Sequence, residues 1–150
     1  MNTNPKIDTR QFLQEVNFTH MVAVTFSMKQ NIEYERIDKI KASKNIRHFL
    51  NLLNKKTYGN ASHRYGKKLA VITVLETSFS GRLHCHLAIN NPNPDNPIYF
   101  ENLIESLWKK TRWGYSENNI QHNANSGWIN YITKLNPQDE VDWENYHIIS

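Results

Sequence analysis

The chain has 150 residues, a formal net charge of +4 and a pI near 9.2, enough for one domain with its own core and biased toward polyanionic partners. Its 39% hydrophobic content, mean hydropathy of −0.69 and lack of any long apolar run argue against a membrane-spanning protein. A lone Cys85 excludes an internal disulfide and a cysteine-rich zinc framework, and the start, MNTNPKIDTRQF, has no apolar secretory core, so the expected compartment is the cytoplasm.

Residues 18–28, FTHMVAVTFSM, are rich in Val, Thr and Phe and read as a strand. Residues 34–56 read as a long basic helix, with Ala42, Ile46, Phe49, Leu50 and Leu53 at helical spacing. From Tyr34 to Lys68, ten Lys/Arg stand against two acids, Glu35 and Asp38. Such a stretch is either a solvated helix face or a surface that attracts phosphate. TYGNASHRYGKK follows as a loop with two glycines. Residues 69–77, LAVITVLET, read as a strand, and SFSGR turns the chain into a second strand, GRLHCHLAIN, as an antiparallel hairpin.

NNPNPDNP cannot be helical. In IYFENLIESLWKKTRWG, Phe100, Leu103, Ile104, Leu107 and Trp108 define one helix face, and Gly114 is available to end the helix. ENNIQHNAN is a weak strand, and SGWINYITKL reads as a helix with Ser126 as its N-cap and Pro137 beyond its end. The tail, acidic in QDEVDWENYH, is a strand or a loose arm. No repeat, linker or second domain is visible, so residues 1–150 read as one domain. The order β-α-β-β-α-β-α predicts an α+β fold, an antiparallel sheet with helices packed on one face in a ferredoxin-like plan.

The hairpin's second strand carries the first chemical signal. Alternation sends Leu83, Cys85, Leu87 and Ile89 to one face and Arg82, His84, His86 and Asn90 to the other. Two imidazoles separated by roughly 6.5–7 Å of strand can converge on one cation. Such an ion usually takes a third protein ligand. Glu76, at the end of the preceding strand, is expected near the level of His86, and the register decides whether it shares the histidines' face. His122, whose weak strand can join the same sheet, is the alternative.

The second signal is YITK. Residues three apart on a helix share a face, so Tyr131 and Lys134 are expected to project together. A nearby cation favours the phenolate of a tyrosine, which is otherwise a weak nucleophile at neutral pH. Read alone, Tyr131 is equally a packing aromatic beside Trp128 and Leu135.

Taken together, an H-x-H strand followed by a helical Y-x-x-K resembles the HUH endonuclease superfamily, and within it the single-tyrosine rolling-circle replication initiators (Rep proteins). VAVTFS resembles their first strand motif, RLHCHLAI the histidine–hydrophobic–histidine motif, and YITK the catalytic tyrosine motif. Glu76, eight residues before His84, stands at a spacing where some of these proteins carry an acidic metal ligand. The resemblance spans residues 18 to 136. The sequence lacks a second motif tyrosine and a G-x-x-x-x-G-K-[ST] loop, so neither a two-tyrosine site nor a helicase domain is expected.

The resemblance implies a nicking and joining enzyme for single-stranded DNA that acts at a replication origin of a plasmid, phage or virus. Tyr131 would be the nucleophile, forming a 5′-phosphotyrosine. Lys134 would stabilise the charge, and His84, His86 and Glu76 would hold Mn²⁺ or Mg²⁺ as a Lewis acid. Imidazole ligands favour Mn²⁺. Arg47, Lys55, Lys56, Arg64, Lys67, Lys68 and Arg82 would contact DNA, and exposed aromatics would stack on unpaired bases. Implied partners are single-stranded origin DNA and a host helicase and polymerase, with the protein a monomer or weak dimer. Two other readings stay open: a single-tyrosine HUH transposase, whose tyrosine motif more often carries a downstream glutamine, and a non-catalytic nucleic-acid-binding domain on the same scaffold.

Overall fold

The computed structural model describes the backbone of residues 5–134 and 136–148, and side chains from residue 8 onward. Its centre is a five-stranded antiparallel sheet in the order β6-β1-β5-β4-β7. The strands are β1 (Met21–Met28), β4 (Val71–Thr77), β5 (Leu83–Asn90), β6 (Gly114–Ala124) and β7 (Glu140–Val141). A small separate hairpin, β2 (Asn31–Ile32) and β3 (Glu35–Arg36), follows β1. The helices are α1 (Pro5–Gln14), α2 (Lys39–Tyr58), α3 (Asn60–Tyr65), α4 (Pro97–Lys109) and α5 (Ser126–Ile132). Taken without the additions, β1-α2-β4-β5-α4-β6 is the βαββαβ unit of a ferredoxin-like fold.

The main core lies between the sheet and α2 with α4. Strand alternation turns Val22, Val24, Phe26 and Met28 of β1 and Leu83, Cys85, Leu87 and Ile89 of β5 toward these helices. They meet Ala42, Ile46, Phe49 and Leu53 of α2 and Phe100, Ile104, Leu107 and Trp108 of α4. Phe26 stacks on Trp108 with ring centres 4.1 Å apart, and Phe49 meets both rings edge-on. Buried Asn45 ties α2 to the α4–β6 corner: its amide donates to Thr111 Oγ1 at 3.0 Å and its carbonyl accepts from Trp113 N at 3.1 Å.

The second face is also covered in part, which amends the expectation of helices on one face only. Leu13 of α1 and Ile129 and Ile132 of α5 pack on Met21, Ile72, Val74 and Ala88. This cover extends over only part of the sheet, so the ends of β4 and β5 that carry Glu76 and His84 remain partly exposed.

Several expected boundaries move. The basic helix begins after Asp38, whose carboxylate accepts from Lys41 N at 2.8 Å, because residues 31–36 form the β2–β3 hairpin. TYGNASHRYGKK is not a loop throughout, since α3 occupies its middle between Gly59 and Gly66. Gly114 does not cap α4, which ends at Lys109. It opens β6 so close to α4 that a Cβ would sit 2.0 Å from Trp108 O. Asn125, not Ser126, caps α5, accepting from Gly127 N at 2.8 Å. That helix ends at Ile132, so Lys134 lies just beyond it, and Leu135 falls outside the described residues. The tail lies along β4 through β7 and a bridge between Val71 and His147. No described helix is long and apolar enough to cross a membrane.

Candidate active site

The β4–β5 hairpin builds the centre of the site. Its turn is closed by Ser78 N donating to Arg82 O at 2.9 Å and Gly81 N to Ser78 O at 2.8 Å, with Gly81 at φ +82°, where a side chain would be strained. This turn fixes a register in which Glu76 pairs directly with His84, and Val74 with His86. Glu76 is therefore level with His84, one pair from the expected position beside His86. The shift leaves all three side chains on one face, because directly paired residues share a face and His86 is two residues from His84.

The carboxylate bridges both imidazoles. Glu76 Oε1 lies 3.2 Å from His84 Nε2, and Glu76 Oε2 meets His86 Nε2 in a short contact. The two rings stand edge to face with centres 5.3 Å apart. Ligand atoms from the three residues lie within 4.8 Å of one another, the arrangement needed to hold one metal ion. Two imidazole nitrogens and a carboxylate suit a divalent ion with open positions for water or substrate.

His86 is buried, and that burial lowers its pKa below the ordinary histidine value, against the opposing pull of its bond to Glu76. A neutral imidazole is the form a metal needs. Its other nitrogen, Nδ1, lies 2.9 Å from Thr25 Oγ1, and Thr25 is its direct cross-strand partner on β1. A hydroxyl can donate or accept. With a metal on Nε2, Nδ1–H would donate to Thr25; without one, Thr25 can donate to Nδ1 while Nε2–H donates to Glu76. Thr25 thus holds the ring in either tautomer, the supporting role that outer partners of metal histidines perform.

α5 brings an aromatic pair to the same place. Trp128 donates its indole N–H to Leu87 O at 2.9 Å, which anchors the helix to the histidine strand. Tyr131, three residues on, stacks on Trp128 with ring centres 5.6 Å apart and stands edge-on to His86 at 6.1 Å. Tyr131 is 55% exposed, so it is not a core aromatic. Lys134 lies over the Tyr131 ring, Nζ 5.5 Å from its centre, although it is outside the helix that was expected to present both.

The remaining expected residues separate. His122 faces the α4 layer and contacts Glu101 at 3.2 Å, away from Glu76, so it is not a third ligand. Arg82 is exposed at the mouth of a shallow cavity of about 350 Å³ that it shares with His84, Thr25 and Asn119. Arg47 is engaged by Glu144, whose backbone carbonyl accepts its Nη2 at 3.0 Å. Lys55 and Lys56 lie at the end of α2, Arg64 on α3 and Lys67 and Lys68 just before β4. These five belong to the α2 layer and to the start of β4, about 17 Å of strand from Glu76 and beyond reach of the His–Glu cluster. The sequence reading missed Thr25 and Trp128 as site residues. Thr25 becomes visible only once β1 is paired with β5, whereas the Trp128–Tyr131 spacing is already that of one helix face.

The family model of the replication-associated protein ORF2 matches residues 19–136, which include both strands of the hairpin, Thr25 and α5. No curated protein and no solved structure matches.

Proposed function

The chain belongs to the replication-associated protein ORF2 family, and from that membership we propose that it is a single-tyrosine HUH endonuclease domain that nicks and rejoins single-stranded DNA to initiate rolling-circle replication. The observation that carries this reading is the meeting of the Glu76–His84–His86 cluster with exposed Tyr131, whose ring stands 6.1 Å from that of His86.

A divalent ion held by Glu76, His84 and His86, Mn²⁺ or Mg²⁺, would supply Lewis acidity toward the scissile phosphate oxygens. Tyr131 Oη attacks the phosphorus. The Oη–P bond forms, the P–O3′ bond breaks, the phenol gives up its proton, and the departing 3′ oxygen gains one. The product is a 5′-phosphotyrosine and a free 3′-OH, and the phosphodiester energy is kept for rejoining. The Lys134 ammonium, 5.5 Å from the centre of the ring, offsets the negative charge that develops beside it. Trp128 restrains the tyrosine by stacking, so less orientational freedom is lost when the phosphate arrives.

Arg82 serves the strand at the cluster. Lys55, Lys56, Arg64, Lys67 and Lys68 form a second basic surface suited to the backbone of flanking DNA. The host helicase and polymerase enter after the nick, since this chain has no nucleotide-binding phosphate loop.

Incubation with pooled single-stranded oligonucleotides and Mn²⁺, followed by trapping of covalent complexes on a denaturing gel and sequencing of the attached DNA, tests the reading. Metal-dependent adducts enriched in one sequence are expected. Binding without any cleavage would leave a nucleic-acid-binding domain in its place.

A further inference from the structure

The β4–β5 turn carries an aromatic ring that the fold does not use. Phe79 is fully exposed at its tip, and no ring among the described residues packs on it. A single exposed aromatic is ordinary; its surroundings here are not. A cavity of about 520 Å³ lies between residues 76–79 of this turn and residues 136–138 of the segment after α5. One wall carries Phe79 and another Pro137, and the lining includes Glu76, the carboxylate that bridges His84 and His86. The cavity is thus continuous with the metal cluster.

Its margins have the chemistry of a nucleotide site. Asn136 and Gln138 bring amides, which can both donate and accept toward a base edge. On the other side of the turn, Arg36 of β3 comes within 3.9 Å of the point where a Gly81 Cβ would stand, and Arg82 is adjacent. Both arginines are exposed. The turn therefore sets cationic groups for phosphates on one side and a flat apolar ring for a base on the other. Tyr34, Tyr65 and Tyr99 are also exposed but do not line this cavity.

We infer that this cavity seats one unstacked base of the single-stranded DNA substrate, next to the phosphate held at Glu76, with Phe79 as its stacking platform. The inference rests on the DNA-cleaving function proposed above. It adds a base seat to the site, so a preference for one base beside the scissile phosphate is read here and not only along the basic surfaces.

Photocrosslinking tests it. The Tyr131→Phe chain is mixed with a random single-stranded pool carrying 5-iodouracil and irradiated, and the DNA-bearing peptide is identified by mass spectrometry. The peptide containing Phe79 is expected to carry DNA, and to lose it in Phe79→Ala. Phe79→Ala should also weaken binding of the pool roughly 5- to 150-fold, the worth of one stacked base, while Phe79→Trp retains it. Because the ring is exposed, neither change disturbs the core. Crosslinks found only elsewhere, or unchanged affinity in Phe79→Ala, would overturn the base seat and leave the cleavage reading standing. A crosslink at Phe79 in a chain whose wild type forms no covalent adduct would support the seat and remove the cleavage reading.

Discussion

Glu76 and His84 oppose each other directly across the β4–β5 pair, with Oε1 and Nε2 3.2 Å apart. A carboxylate set between two imidazoles is poised to bind a cation, because every group pointing inward is a potential electron-pair donor. Replacing His84, His86 or Glu76 with Ala is expected to abolish high-affinity Mn²⁺ binding, measured by titration calorimetry. Thr25→Val, which removes only the hydroxyl at His86 Nδ1, should weaken it about 10- to 100-fold.

The same pocket sets a pH dependence. Burial lowers the pKa of His86 below its ordinary 6.5, so as pH falls the unfolded chain takes up that proton before the folded one does. The ion-free fold should therefore lose stability progressively from the ordinary histidine value downward. Denaturant titrations of chelator-treated protein near neutral pH and in mild acid measure this, and His86→Gln should reduce the difference.

Cys85 sits between the two histidines in sequence but on the opposite face, fully buried against α2 and α4. Burial pushes its thiol far above the ordinary range. It should resist a thiol reagent in the native protein and react fully once unfolded. Cys85→Ala should leave Mn²⁺ affinity unchanged and cost about 1 kcal/mol of stability through poorer packing.

Much of this arrangement was legible because it rests on period-two alternation and on local spacing. His84 and His86 share a face in any strand, and the βαββαβ order follows from the hydrophobic pattern. What the sequence could not supply was long-range. The hairpin register depends on how Ser78–Gly81 closes the turn, and a one-pair change moved Glu76 from His86 to His84. His122 was a plausible ligand until the pairing of β6 with β1 turned it toward Glu101. The α1 helix escaped notice because what stabilises it is tertiary: Leu13 buried under α5, and Arg10 donating to Asn130 O at 3.1 Å. Gly114 looked like a helix cap because a close backbone approach and a cap both call for glycine.

The basic residues give a separate expectation. Lys55, Lys56, Lys67 and Lys68 lie far from the His–Glu cluster, so their joint replacement by Ala should weaken DNA binding and flatten its salt dependence, by a slope of roughly 0.7 for each phosphate no longer neutralised on a single strand. The cleavage rate at saturating DNA should stay the same. Arg82→Ala, beside His84, should lower that rate as well.

One tyrosine in the motif helix limits the reaction cycle. After one cleavage Tyr131 is occupied by its own phosphodiester, and Ile132 and Thr133, next along the chain, provide no second phenol. Rejoining should therefore use an incoming 3′-OH. A preformed adduct is expected to pass its strand to a labelled acceptor oligonucleotide faster than water releases it. Accumulation of free 5′-phosphate ends beside unjoined acceptor would describe a nuclease instead.

The most direct measurement is the identity of the residue that carries DNA. Protein incubated with the single-stranded pool and Mn²⁺ is digested, and the nucleotide-modified peptide is sequenced by mass spectrometry. The account predicts a phosphodiester on Tyr131, absent in Tyr131→Phe and absent when the metal is chelated, with DNA binding retained in both. DNA attached to any other residue, an adduct that survives in Tyr131→Phe, or cleavage that leaves no protein–DNA bond would contradict it.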